Sequence, residues 1–190
     1  IYLILAVFAI VAIFPFAWMI SSSLKFDTQV FIYPIDWIPD NPQWGNYLKV
    51  FEKFNFLQYF KNTAFVSIMV TLGTLLASIL AAYAFAKLNF RGRDKLFLLY
   101  IATLMIPWKT IMIPQFLIVN GIHLNDTHWG YILTQIFTPF GVFLLKQFFM
   151  GIPNEYTEAA KIDGCNHVRI CFGIILPMSK PALTTLLLLT

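Results

Sequence analysis

The side chains able to do chemistry are few and scattered. Glu155 and Glu158 follow Pro153 and precede Asp163. Their positions predict the first turn of a helix, where unpaired backbone N–H groups favour negative charge. Taken alone, Glu158 reads as a solvated carboxylate at a helix start. His123, His128 and His167 are dispersed and read as loop or interface histidines. Cys165 and Cys171 stand six apart, which fits neither a CxxC pair nor a metal-ligand pattern, so they read as free thiols. The sequence holds no Gly-x-x-x-x-Gly-Lys-Ser/Thr phosphate loop, no Gly-x-Ser-x-Gly and no His-Glu-x-x-His. An integral membrane enzyme would need catalytic groups clustered near one interface, and none is present. No cofactor, no metal and no catalytic residue is expected. One cation, Lys109, interrupts an otherwise uncharged apolar stretch.

The elements that must hold these residues are membrane helices. Of 190 residues, 59% are hydrophobic and 12% charged, and Phe, Tyr and Trp number 20, 8 and 5. A soluble domain carries about 25% charged residues. This composition excludes disorder, collagen, a coiled coil and a disulfide scaffold. A bilayer core of about 30 Å is spanned by ~20 apolar residues in a helix. The stretches 1–20, 63–86, 96–119 and 129–145 approach or meet that length, and a fifth starts near Pro181. The first exceeds a usual signal-peptide core and no small-residue cleavage site follows it. The chain opens on Ile1 and stops at Thr190 within an apolar run, and so reads as a fragment open at both ends.

Lys and Arg placement predicts orientation. The segment between spans two and three holds Lys87, Arg91, Arg93 and Lys95; the segment after span four holds Lys146, Lys161, Arg169 and Lys180. The loop between spans one and two holds Lys25, Lys49, Lys53 and Lys61, offset by Asp27, Asp36, Asp40 and Glu52. The first two segments are therefore expected in the cytoplasm, with the N-terminus, and the loop 26–62 outside. The net charge of +4 is a topology signal and not a nucleic-acid surface. Within the external loop, 51–60 reads as a short interfacial helix. Gly73, Ala77 and Ala81 form one small-residue row on span two, and Ser78, Ala82 and Ala86 another; such rows let helix backbones approach closely in lipid. Pro107 and Pro114 are expected to bend span three. A lysine there should face protein or water. Lys109 then either lines a path through the protein, or caps carbonyls freed by the proline or pairs with a partner chain.

The segment 151–180 carries the most specific pattern. A helix opening at Pro153 should be stopped by Gly164, which tolerates positive φ. A second short helix, 166–175, should run to Pro177. Glu158-Ala159-Ala160, three residues, Gly164, nine residues, Ile174, one residue, Leu176 and Pro177 resemble the Glu-Ala-Ala loop of ABC importer permeases at every defined position. Ile162-Asp163-Gly164 is similar as well. Phe14-Pro15-Phe16-Ala17-Trp18-Met19 with 21–25, Ala81 to Lys87, Met105-Ile106-Pro107 and Ile113-Pro114 resemble successive helices of the maltose-type carbohydrate permeases. Cys165 stands where that family often has Ala, and Tyr156 where it often has Leu.

The resemblance implies an all-α, polytopic transmembrane bundle: a family core of six helices, about four and a half of them within this chain, and a cytoplasmic coupling helix. It implies one permease domain over 1–190, with the external loop 26–62 and the coupling loop 151–180. It implies a multi-pass protein of the bacterial cytoplasmic membrane. The partners implied are a second homologous permease, a cytoplasmic ATPase dimer, an extracytoplasmic solute-binding protein and the lipid bilayer, with no nucleic acid. Glu158, Ala159, Ala160, Asp163, Gly164, Ile174, Leu176 and Pro177 would couple to the ATPase, and Lys109 is the candidate for the translocation path. The implied cargo is a sugar or oligosaccharide, the alternative being another small solute such as a polyamine or peptide. An ion channel would require polar pore rings or a filter loop, and neither is evident.

Overall fold

A computed structural model describes residues 2–190, which form helices, turns and loops, with no strand among them. The chain divides into two compact units, 1–61 and 62–190.

In the first unit, α1 (Tyr2–Ser23) is apolar on every side and almost wholly exposed within this chain. Such a helix suits lipid on all faces. The segment after it folds back on the helix end. Ser21 donates from Oγ to the Trp37 carbonyl at 2.6 Å, and Trp37 packs edge-on against Phe14 and Trp18. A 3-10 turn, Asp27–Gln29, begins the return. Helix α2 (Gly45–Lys53) follows, held by Asn46 Nδ2, which donates to the carbonyls of Ser23 and Lys25. The interfacial helix expected at 51–60 is displaced. Phe54 is extended (φ −128°, ψ 147°), ending α2, and α3 (Phe56–Lys87) starts two residues later. At 32 residues α3 is about 48 Å long, well beyond the bilayer core.

The second unit packs around the latter half of α3. Thr74, Ser78 and Ala82 recur every four residues and are buried; Gly73, Ala77 and Ala81 are only half-buried. The row containing Ser78 and Ala82 therefore makes the deeper helix contact. Its partner is α7 (Pro139–Met150), whose Val142, Leu145, Lys146 and Phe149 turn inward, with Ala182 and Leu186 of α11 (Lys180–Leu189) alongside. A Cβ on Gly141 would lie 2.6 Å from Ser78 Oγ and 3.2 Å from Leu186, so only glycine admits this approach.

Two spans are broken helices, the third at Pro107, where the sequence predicts a bend, and the fourth before Pro139, where it predicts none. The third is α4 (Arg93–Ala102) with a 3-10 turn, Thr103–Met105, then α5 (Trp108–Gly121), bent by 104°. Ile106 is extended (φ −83°, ψ 115°) because the ring of Pro107 excludes the helical region from the residue before it. Pro114, by contrast, lies inside α5 without interrupting it. The fourth span is α6 (His128–Gln135) and α7, bent by 43°, with Thr138 extended before Pro139 for the same reason. By length and composition α1 and α3 can each cross a membrane, and up to five spans exist if each bent pair is one.

After α7 the chain forms α8 (Glu155–Ile162), then a continuous helical run 167–178: α9 (His167–Ile170), a π turn (Cys171–Ile175) and α10 (Leu176–Met178). An 84° bend at Ser179 leads into α11. The second short helix thus continues past Pro177 instead of stopping before it.

Candidate functional site

The segment from Gly151 to Met178 is shaped by its caps. Asn154 occupies the N-cap of α8, so Pro153 lies outside the first turn that the sequence assigns to it. Thr157 Oγ1 donates to the Asn154 carbonyl at 2.7 Å, and Glu155 and Glu158 occupy the first turn. At the far end Cys165 N–H donates to the Ala160 carbonyl at 2.9 Å and Gly164 N–H to the Lys161 carbonyl at 3.0 Å. This pair of bonds is a Schellman stop, which places its C′ residue in the left-handed region. Gly164 takes φ +80° there. Asn166 then caps α9, its Oδ1 accepting from Arg169 N–H at 2.8 Å. The break at Gly164 is therefore closed on both sides by hydrogen bonds.

The segment is fastened to α3 at two places. Lys87, the last residue of α3, donates from Nζ to the Ile152 carbonyl at 2.5 Å and to Asn154 Oδ1 at 2.9 Å. One turn earlier, Tyr83 Oη and His167 Nδ1 share a hydrogen bond of 3.2 Å, with their rings edge-on at 6.2 Å. The first tether precedes α8 and the second follows its break. Beneath them Ile152, Ala160, Ile170, Cys171 and Ile175 join the core made by Ile79, Ala82, Val142, Leu145 and Phe149. A cation–π contact, Lys146 Nζ 3.4 Å from the Phe97 ring centre, adds α4 to the same core.

The sequence-predicted site residues divide by side. Glu158, Ala159, Asp163 and Gly164 are exposed on the outer face of the segment. Ala160 is buried, and Ile174 and Leu176 are half-buried against the core; Pro177 is exposed beside the bend. One motif thus supplies both a surface and the packing that fixes it. Lys109 is not part of this assembly. It is the second residue of α5, just past the break, exposed, and makes no hydrogen bond or ion pair among the described residues. The carbonyls freed near Pro107 do not hold it. Sequence reasoning misses the tethers. It reads Lys87 only as a topology charge and His167 as a dispersed histidine, although Tyr83 and Lys87 are four apart on one helix face.

Such a surface, without catalytic groups and rigidly joined to membrane helices, is suited to transmitting movement. Residues 73–190 match the family described as the binding-protein-dependent transport system inner membrane component. The chain belongs to this family. It is accordingly a membrane permease subunit of a transport system and not an enzyme. The permease is 33% identical over 187 residues to the arabinooligosaccharides transport system permease protein AraQ of Halalkalibacterium halodurans, covering 97% of this chain and 67% of that protein. It is 32% identical to the galactooligosaccharides transport system permease protein GanQ of Bacillus subtilis, covering 95% of this chain and 65% of that one. Among solved structures, it is similar to a chain of a bacterial ABC transporter involved in the import of the acidic polysaccharide alginate. The TM-score is 0.88 with 27% identity, covering 99% of this chain and 66% of that one. The permease sequence described here thus spans about two thirds of the length of these relatives.

Proposed function

We propose that this permease subunit forms part of the path for a sugar or oligosaccharide and that α8 is the helix through which a cytoplasmic ATPase drives it. The observation that carries the coupling reading is the two-sided construction of the 151–178 segment. Its outer face, Glu158, Ala159 and Asp163, is free within this chain, while Lys87 and Tyr83 fasten it to α3 on either side of α8. A push on α8 then reaches α3 without loss in an intervening loop. The sugar reading is supported by the named cargoes of the two permease relatives. In this reading the segments 87–95 and 146–180 are cytoplasmic, as is the N-terminus. A second permease, an ATPase pair and a solute-binding protein complete the importer.

The deciding experiment is a ligand screen of the cognate binding protein followed by uptake into vesicles holding the reconstituted complex. Sugar-dependent uptake driven by ATP is expected. Selective uptake of a polyamine or peptide would replace the sugar reading with the other-solute one. Lys109 lines the path in this reading, so Lys109→Met should lower uptake with the complex assembled; unchanged uptake would remove it from the path.

A further inference from the structure

The first unit contains a basic cavity that the coupling role does not use. It has a volume of about 430 Å³ and lies between the end of α1 and α2, lined by Ser22, Ser23 and Lys25 on one side and by Asn46, Lys49 and Lys53 on the other. Asp27 is the one carboxylate in the lining. Among the described residues none of the three lysines has an ion pair. Lys25 is 3% exposed, and its ammonium is 4.8 Å from the Trp18 ring centre. A cation so withdrawn from water needs a countercharge or strong hydrogen-bond acceptors nearby. The cavity is built, not incidental: Asn46 bonds the two carbonyls at the exit of α1, and its Oδ1 accepts from Lys49 Nζ at 3.3 Å.

Its position selects the kind of anion. Ser22 and Ser23 end an apolar helix of 22 residues, so the cavity sits where the bilayer core gives way to headgroups. Helix α2 is amphipathic about it. Asn46, Lys49, Val50 and Lys53 recur at helical spacing and line the cavity, while Trp44, Leu48 and Phe51 on the opposite side are 68%, 68% and 58% exposed. A short helix with lysines on one face and Trp, Leu and Phe on the other lies in a membrane interface. We propose that this cavity binds the phosphate headgroup of an anionic phospholipid, with Lys25, Lys49 and Lys53 as its cationic partners and Phe26, Val50 and Phe54 beside the glycerol and upper acyl chain. The proposal rests on α1 as a membrane span and is independent of the cargo.

The test uses the complete transporter, with its partner subunits, in detergent. Phosphatidylglycerol or phosphatidylcholine is titrated in, and retained lipids are counted by native mass spectrometry. The expected result is one phosphatidylglycerol per copy of this permease that the double variant Lys49→Gln/Lys53→Gln fails to retain, with affinity falling roughly fivefold for each lysine removed. Lys49→Arg/Lys53→Arg should keep it, which separates charge from folding. Lys61→Gln, which removes a lysine outside the lining, should change nothing. Equal retention of the two lipids by this site, or equal loss in Lys61→Gln, overturns the proposal. Displacement by glycerol 3-phosphate at the concentration of the lipid also overturns it, because the site would then serve a free phosphate.

Discussion

Replacing Lys87 by Met removes both bonds that fasten the start of α8 to α3 while leaving the aliphatic stem in place. The two bonds differ in what their loss leaves behind. Asn154 is exposed, so water satisfies its Oδ1. Ile152 is buried, and its carbonyl accepts from Lys87 at 2.5 Å in a partly buried setting. A hydrogen bond to a charged group contributes about 1.5–3 kcal/mol, and the water-replaceable one sits at or below the lower end. A net loss of about 2 kcal/mol follows, which corresponds to roughly a 30-fold rise in the population with the α8 entrance released. The assay is paired. Hydrogen exchange on the intact complex should show faster exchange over 151–162, with the α3 amides from 74 to 83 unchanged. In vesicles, the number of solute molecules imported per ATP should fall while complex abundance holds. Lys87→Arg should restore much of both, since its guanidinium can reach the same acceptors. Exchange and stoichiometry both equal to the parent protein would refute the tether as a transmission element. Faster exchange with unaltered stoichiometry would refute only its role in coupling.

Three further outcomes are expected. Gly164→Val meets open space but must hold φ near +80°, at a cost of about 1–2 kcal/mol, so the protein should insert normally and transport should fall; a structure of the variant with one unbroken helix through position 164 would contradict the stop described here. Gly141→Val drives a Cβ against Ser78 and Leu186, costing about 1–3 kcal/mol, and should lower the thermal midpoint of the purified complex, which Ser78→Ala should partly restore; an unchanged midpoint would mean that α3 and α7 separate without penalty. Glu158→Lys inverts the charge in the first turn of an exposed helix, worth roughly 0.3–1 kcal/mol for the helix itself, so abundance should hold while solute-stimulated ATP hydrolysis drops; unaltered stimulation would reduce Glu158 to a solvated carboxylate.

Hydropathy makes α1 and most of α3 legible, because a run of apolar residues needs no knowledge of its neighbours to be recognised. The same measure is blind to direction. Residues 96–119 and 129–145 score as single spans although Ile106 and Thr138 are extended and the helices turn there. The signal is present in Pro107 and Pro139, each of which restricts the residue before it; the sequence reading weighs only the first. The stop at Gly164 is legible because one residue type and one backbone conformation decide it. The split of the Glu-Ala-Ala motif into outward and inward residues requires the core to be seen. The tethers are hidden for a further reason: Lys87 and Ile152 are 65 residues apart, Tyr83 and His167 are 84 apart. No local pattern announces a lysine whose acceptor is a backbone carbonyl on another element.

The π turn at Cys171–Ile175 lets this segment hold one residue more than an α-helix following the same course. An α-helix advances each residue by about 100° around its axis, so a residue five places on points about 140° away. Ile170 and Ile175 stand five apart and are both fully buried, because the wide turn brings the second back over the first. Gly173 touches nothing within reach of a side chain. Its deletion would let the wide turn relax to ordinary α geometry. Ile175 and Leu176 would then follow Ile170 and Cys171 by four residues and keep their seats, and α11 would keep its bearing. A one-residue deletion is absorbed here, whereas the same deletion inside α7 would re-aim everything after it.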